Sequence, residues 1–228
     1  MIKKNFTIFS ILITILLIFS FYSCATTDNG YNNFESNTKQ NKKEKLKPIQ
    51  KKLVQAAETY VGSNNDSLVA DNKTYNLDCS GAMLAIYYKA GIYLEKCYSG
   101  YDGNGVKRLY YCLKDHKLLT DTKLPEPGDL IFWDNTYDRN GDGKFNDYFS
   151  HTGMVVDVKK DGTITYIHDN YRKGLVYAKM NLKHPHDREI NSPMRMRGSP
   201  PAPNNESLAS ELIRVFGRAW LLPKSYFR

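Results

Sequence analysis

The sequence predicts an α+β fold, with helices leading into a mostly antiparallel sheet, and three observations carry that expectation. Apolar residues recur at helical spacing in two early stretches, residues 48–60 and 79–90. From residue 130 onward the apolar stretches shorten and are separated by turn residues, as at Pro127-Gly128-Asp129 and Lys160-Asp161-Gly162. Helices grouped before strands, with no βαβ alternation, give an α+β arrangement.

The first helix opens at Pro48, with Leu53, Val54, Ala57 and Val61 as its buried stripe. A polar loop over residues 62–75 follows. The second helix runs from Cys79 to Ala90, with Asp78 as its N-cap and Gly91 as its stop. Met83, Leu84, Ile86 and Tyr87 are its core candidates. Residues 91–122 read as irregular, with a short helix over 106–113. Strands are expected at 130–133, 151–158, 163–168 and 175–180. Residues 184–205, rich in Pro and Arg, read as a long surface loop, and residues 212–222 return a strand to the sheet.

At 228 residues the chain holds one domain of roughly 150–180 residues plus a tether. Its net charge of +8 is unevenly placed. Nine Lys/Arg and three Asp/Glu precede Leu53, which leaves 23 against 21 from there on. A nearly neutral domain argues against a nucleic-acid partner. Lys3 and Lys4 precede an apolar run over residues 6–22, the shape of a secretory signal. The run ends Phe21-Tyr22-Ser23-Cys24 and resembles a lipobox, in which the cysteine is acylated and becomes the first mature residue. A cleaved soluble protein and an uncleaved anchor are the alternatives. The organisation is then a leader over residues 1–23, a flexible tether over 24–47 and a domain over 48–228. That places the protein in a bacterial cell envelope, held to a membrane by lipid.

Cys79 begins a helix, where unpaired N–H groups and the macrodipole favour a thiolate. His151 begins an apolar strand and His168 closes the next one, so a nucleophile, a base and an orienting group occur in that order. Asp169 and Asn170 compete with His168 for the last role, and strand alternation sends Asp169 to the opposite face. The backbone N–H of Cys79 is a natural oxyanion donor. His116, His184 and His186 fall in predicted loops. Cys97 and Cys112 flank a Gly- and Tyr-rich loop; two separate thiols are favoured over a disulfide.

A second pattern spans residues 138–147. Asp138, Asn140 and Asp142 put oxygen ligands at positions 1, 3 and 5, with Gly143 at 6, which is calcium-loop spacing. Lys144 would add its carbonyl, and Asn146 or Asp147 would complete the shell. Position 12 is Phe149 rather than Glu, so this is not a full EF-hand. The expected cofactor is a structural Ca²⁺ that fixes the strand carrying His151; no organic cofactor is expected.

Four elements in this order resemble the NlpC-type peptidoglycan cysteine peptidases and their relatives, the CHAP amidases. They are Asp78-Cys79-Ser80-Gly81, Pro127-Gly128-Asp129-Leu130-Ile131-Phe132, His151-Thr152-Gly153-Met154-Val155 and Tyr166-Ile167-His168. The resemblance implies a papain-like fold and hydrolysis of amide bonds in wall peptides, often between D-glutamate and diaminopimelate. It favours His168 as the third member and implies that Asp78 and Ser80 line the cleft beside a substrate amine. The family's aromatic-glycine signature before the cysteine is absent, which leaves Tyr60 or Tyr75 as the active-site tyrosine. An acyltransferase using the same three residues, and a catalytically silent wall-binding lipoprotein, are the competing expectations.

Overall fold

Pro48 opens helix α1, Pro48–Glu58, where its missing N–H leaves no hydrogen bond unmade. The computed structural model describes residues 46–121 and 123–228, which fall within the compact unit Lys43–Arg228. The expected leader, Cys24 and the tether as far as residue 45 lie outside the described residues. Leu53, Ala56 and Ala57 form the buried stripe of α1. Val61, expected to extend it, is 41% exposed because the helix has already ended.

Residues 62–75 are not one loop. They contain a two-stranded antiparallel hairpin, β1 (Ser67–Ala70) with β2 (Lys73–Asn76). Only Leu68 and Ala70 point inward from β1, too few to register as an alternating pattern in the sequence.

Helix α2, Cys79–Ala90, is the centre of the fold and has nine buried residues, the four expected core residues among them. One carboxylate oxygen of Asp78 accepts from the N–H groups of Ser80 and Gly81, both at 2.8 Å. Such a cap is worth roughly 1 kcal/mol. Helix α3, Gly105–Asp115, extends the short helix expected there and is capped by Asn104. Cys112 on α3 is disulfide-bonded to Cys97, which sits in a 3-10 turn, Leu94–Tyr98. The two thiols favoured from sequence are therefore one bridge, with Cα atoms 5.3 Å apart. The turn and α3 pack side by side, a proximity that no spacing in the chain reveals.

Six strands form the main sheet: β3 (Leu119–Thr120), β4 (Leu130–Trp133), β5 (His151–Val158), β6 (Thr163–Asn170), β7 (Gly174–Asn181) and β8 (Ile213–Gly217). Their order is β3-β8-β4-β5-β6-β7, and every pairing is antiparallel. Side chains alternate between two cores. Leu130, Phe132, Met154, Ile167 and Leu175 join the three helices. Ile131, Trp133, Val155, Tyr166 and Met180 pack instead with Ala209 and Leu212. The expected surface loop at 184–205 is tied back to the sheet and to the chain after it. Ser192 donates to the carbonyl of Lys179 at 2.8 Å and Ala209 to that of Ser192 at 3.0 Å. Among the described residues, no helix is long and apolar enough to cross a membrane.

Candidate active site

Two glycines let the chemistry-bearing elements approach. A Cβ on Gly81 would lie 2.2 Å from the carbonyl oxygen of Asn76, so only glycine lets the first turn of α2 pass the end of β2. A Cβ on Gly153 would lie 2.6 Å from the carbonyl oxygen of Ile167 and 3.1 Å from Cβ of His168. Gly153 thus clears the space beside the His168 side chain. Pro127-Gly128-Asp129 serves architecture. Buried Asp129 accepts from the N–H of Glu126 at 2.9 Å and from the indole of Trp220 at 2.7 Å. Burial pushes its carboxyl up to about 6. The Tyr87 hydroxyl donates to the carbonyl of Gly128, which ties the start of β4 to α2.

Register then brings the histidines together. His151 stands opposite Trp133, and His168 stands opposite Gly153, two residues along β5 from His151. Residues two apart on a strand share a face, so the two rings are diagonal neighbours. Nε2 of His151 lies 3.0 Å from Nδ1 of His168. The Trp133 ring lies 5.8 Å from that of His151, and the Tyr166 ring 5.4 Å from that of His168. Burial lowers the pKa of His151 far below the ordinary imidazole value, and neighbouring His168 lowers it further. Burial takes His168, which is 5% exposed, down to about 4, opposed by a hydrogen bond to the Asp169 backbone. Both rings are neutral at pH 7.

The backbone N–H groups of Thr152 and Ser80 lie near the Cys79 sulfur and favour its charged form. That contact puts it against the residue following His151. The sequence argument from the helix terminus expected a thiolate. Instead, burial pushes the thiol up to about 12, and the nearby Asp78 and Asp169 carboxylates add to the rise. The two backbone donors oppose these effects without overcoming them. Desolvation outweighs the helix terminus, because a partial dipole charge offsets only a fraction of the cost of burying a full one. The resting site is a neutral thiol beside a neutral imidazole.

The three side chains line a cleft of about 590 Å³, together with Asp78 and Asp169. Asp169 was expected on the opposite face, yet at the end of β6 it reaches the same cleft as His168 and Asn170. Burial, then Asp78, pushes its carboxyl up to about 6. Ser80 donates its hydroxyl to Asp78 at 2.7 Å and hydrogen-bonds Tyr98. Neither expected tyrosine lines the cleft. Tyr60 donates to the carbonyl of Val69 and Tyr75 to Glu95. Tyr137 and Tyr171 line it instead, with Arg172 and the segment 193–197. None of these carries a sequence signal, since each arrives by tertiary folding from a turn or an irregular segment.

The loop over 138–147 is a network of Asx turns. Asp138 accepts from the N–H groups of Gly141 and Gly143, Asn140 from Asp142, and Asp142 from Lys144 and the Asn146 amide. Asp147 is buried, and its Oδ2 has no hydrogen-bond partner. Among the described residues, no group of three His, Cys, Asp or Glu side chains is arranged to hold a metal. His116 pairs with Tyr226, and His186 with Glu211.

A thiol at about 12 beside a neutral imidazole makes the free protein slow to alkylate. The iodoacetamide rate at Cys79 should climb about tenfold per pH unit between pH 6 and 9 without levelling. A plateau across that range would mean a preformed thiolate–imidazolium pair and would contradict these electrostatics.

No curated protein and no solved structure matches this chain. The family model of the CHAP domain matches residues 70–170, from the end of β1 to the end of β6, and so takes in Cys79, His151 and His168. Over that stretch the chain is similar to the CHAP domain, a likeness that points to peptidoglycan hydrolase or amidase chemistry.

Proposed function

We propose that the protein cuts amide bonds in peptidoglycan peptides through a thiol mechanism, with Cys79 as nucleophile, His151 as base and His168 as the group that orients it. The observation that carries this is the 3.0 Å contact between His151 Nε2 and His168 Nδ1, on strands that also bring Thr152 against the Cys79 sulfur. Nδ1 of His168 faces Nε2 of His151, and the relay proposed for the pair has that Nδ1 as the acceptor. In that arrangement neutral His168 presents a bare Nδ1 and His151 donates to it from Nε2. That leaves Nδ1 of His151 bare, as a base requires.

In the mechanism, Sγ bonds to the scissile carbonyl carbon while its proton moves to Nδ1 of His151. The oxyanion is received by the Cys79 backbone N–H, with Asp78 occupied by the amides of Ser80 and Gly81. The C–N bond breaks as His151 returns the proton to the leaving amine. Water, deprotonated by the same nitrogen, then hydrolyses the thioester. Because neither partner is charged at rest, proton transfer and attack occur together. Asp78 contributes the wall beside the leaving amine, while Ser80, which does not line the cleft, holds the Asp78 carboxylate through its hydroxyl.

Digestion of purified peptidoglycan followed by mass spectrometry tests this. Wild-type protein should release peptides bearing new amino and carboxyl ends. Cys79→Ala and His151→Ala should each lose on the order of a thousandfold. Retained activity in Cys79→Ala, or no release by the wild type, contradicts the hydrolase; products joined to an added amine identify the acyltransferase instead.

We also propose that the enzyme works at the bacterial envelope from a lipid anchor on Cys24, supported by the charged and apolar leader ahead of it. The mature full-length protein should partition into detergent and carry the mass of an acylated Cys24. An aqueous protein with another N-terminus would refute the anchor.

Calcium at Asp138, Asn140, Asp142, Lys144 and Asp147 belongs to the same proposal, supported by the ligand spacing and by the partnerless, buried Oδ2 of Asp147. Millimolar calcium should raise the melting temperature by a few degrees, through binding to the native state alone. Asp142→Ala should abolish the rise. Identical melting in calcium and in chelator would reject the ion.

A further inference from the structure

The two rims of the cleft differ in charge. Asp78 and Asp169 stand with Cys79, whereas Arg172 and Arg197 line the same space from segments beyond the CHAP match. Arg172 occupies the turn between β6 and β7, where its N–H donates to Oδ1 of Asn170 at 3.1 Å. Arg197 closes a run whose backbone is fixed on both sides. The N–H groups of Met194 and Arg195 donate to the carbonyl of Ser207 at 2.7 and 3.0 Å, and that of Met196 to the carbonyl of Thr136 at 2.6 Å. Thr136 in turn donates from its N–H and its hydroxyl to Oγ of Ser150, the residue before His151. The run is thus braced against the strand that bears His151.

The arginines in this region have different duties. Arg195 is spent on the scaffold: its guanidinium donates to the carbonyls of Pro200 and Asn135 and lies over the Phe145 ring. Arg172 and Arg197 are exposed and enter none of the ion pairs among the described residues. Neither one moderates Asp169, whose raised pKa comes from burial and Asp78. Two guanidiniums on held backbone, open to one cleft and without a carboxylate of the protein's own, match a carboxylate brought by the ligand. A planar fork of donors binds that group in two-point fashion, which a lysine does not reproduce.

We propose that Arg172 and Arg197 form a specificity subsite that reads a free carboxylate on the wall peptide. The choice of a wall peptide rests on the hydrolase proposal; the anion preference rests on the arginines alone. Their side chains touch no reacting atom, so their effect belongs in KM and binding rather than in kcat.

The probe is a D-glutamate–diaminopimelate stem peptide with free carboxylates, compared with the same peptide fully amidated. Binding is measured on Cys79→Ala protein and turnover on wild type. The acid form should bind Cys79→Ala about 10- to 100-fold more tightly, the range of a few charge-assisted hydrogen bonds. Adding Arg172→Gln and Arg197→Gln should erase that preference, with an unchanged melting temperature. In wild type the preference should appear in KM. Equal binding of acid and amide, binding of neither, or a preference that survives the double substitution would overturn the subsite. Selective binding without any turnover would support the subsite and remove the hydrolase; turnover of both peptides with equal KM would do the reverse.

Discussion

The site depends on a hydrogen bond between two uncharged imidazoles that meet where β5 and β6 pair beside the cleft. His151 Nε2 and His168 Nδ1 meet at 3.0 Å only because β5 and β6 are in the register that sets His168 opposite Gly153. Any side chain at 153 would meet the backbone of Ile167 and the His168 side chain. Trp133 and Tyr166 pack beside the pair. Burial among these groups keeps both rings neutral and gives each one donor and one acceptor.

The same burial governs the thiol. A helix N-terminus, with backbone donors from Ser80 and Thr152, favours negative charge on Cys79, but desolvation and two nearby carboxylates prevail. Under the proposed mechanism Cys79 is a nucleophile protected at rest and released only as its proton leaves for His151. Low resting reactivity also protects the thiol against oxidation, since susceptibility follows thiolate character.

Much of this was legible in the chain. Cys79–Ala90 was readable from an N-cap aspartate, an apolar run and a stop glycine, and the structure has those bounds. The strands at 130 and 151 were readable from apolar runs between turn signals. What failed depended on distance in space rather than order in sequence. Val61 carries the right residue type past the end of its helix. The Cys97–Cys112 bridge requires a 3-10 turn to pack on α3, and the hairpin β1–β2 rests on two inward residues. Segment 193–197 looks like loop composition, and only its hydrogen bonds to Thr136 and Ser207 turn it into a cleft wall. The state of the thiol was misjudged for the same reason: the helix end is visible in sequence, whereas burial is not.

Nitrogen-15 NMR of the two imidazoles in Cys79→Ser protein tests the central claim most directly, because it reads charge and tautomer at each ring. At pH 7 both rings should be neutral and protonated on Nε2 alone, and His168 should titrate only near 4. A cationic His151 at neutral pH, or a proton resident on its Nδ1, would contradict the relay and the base assignment together.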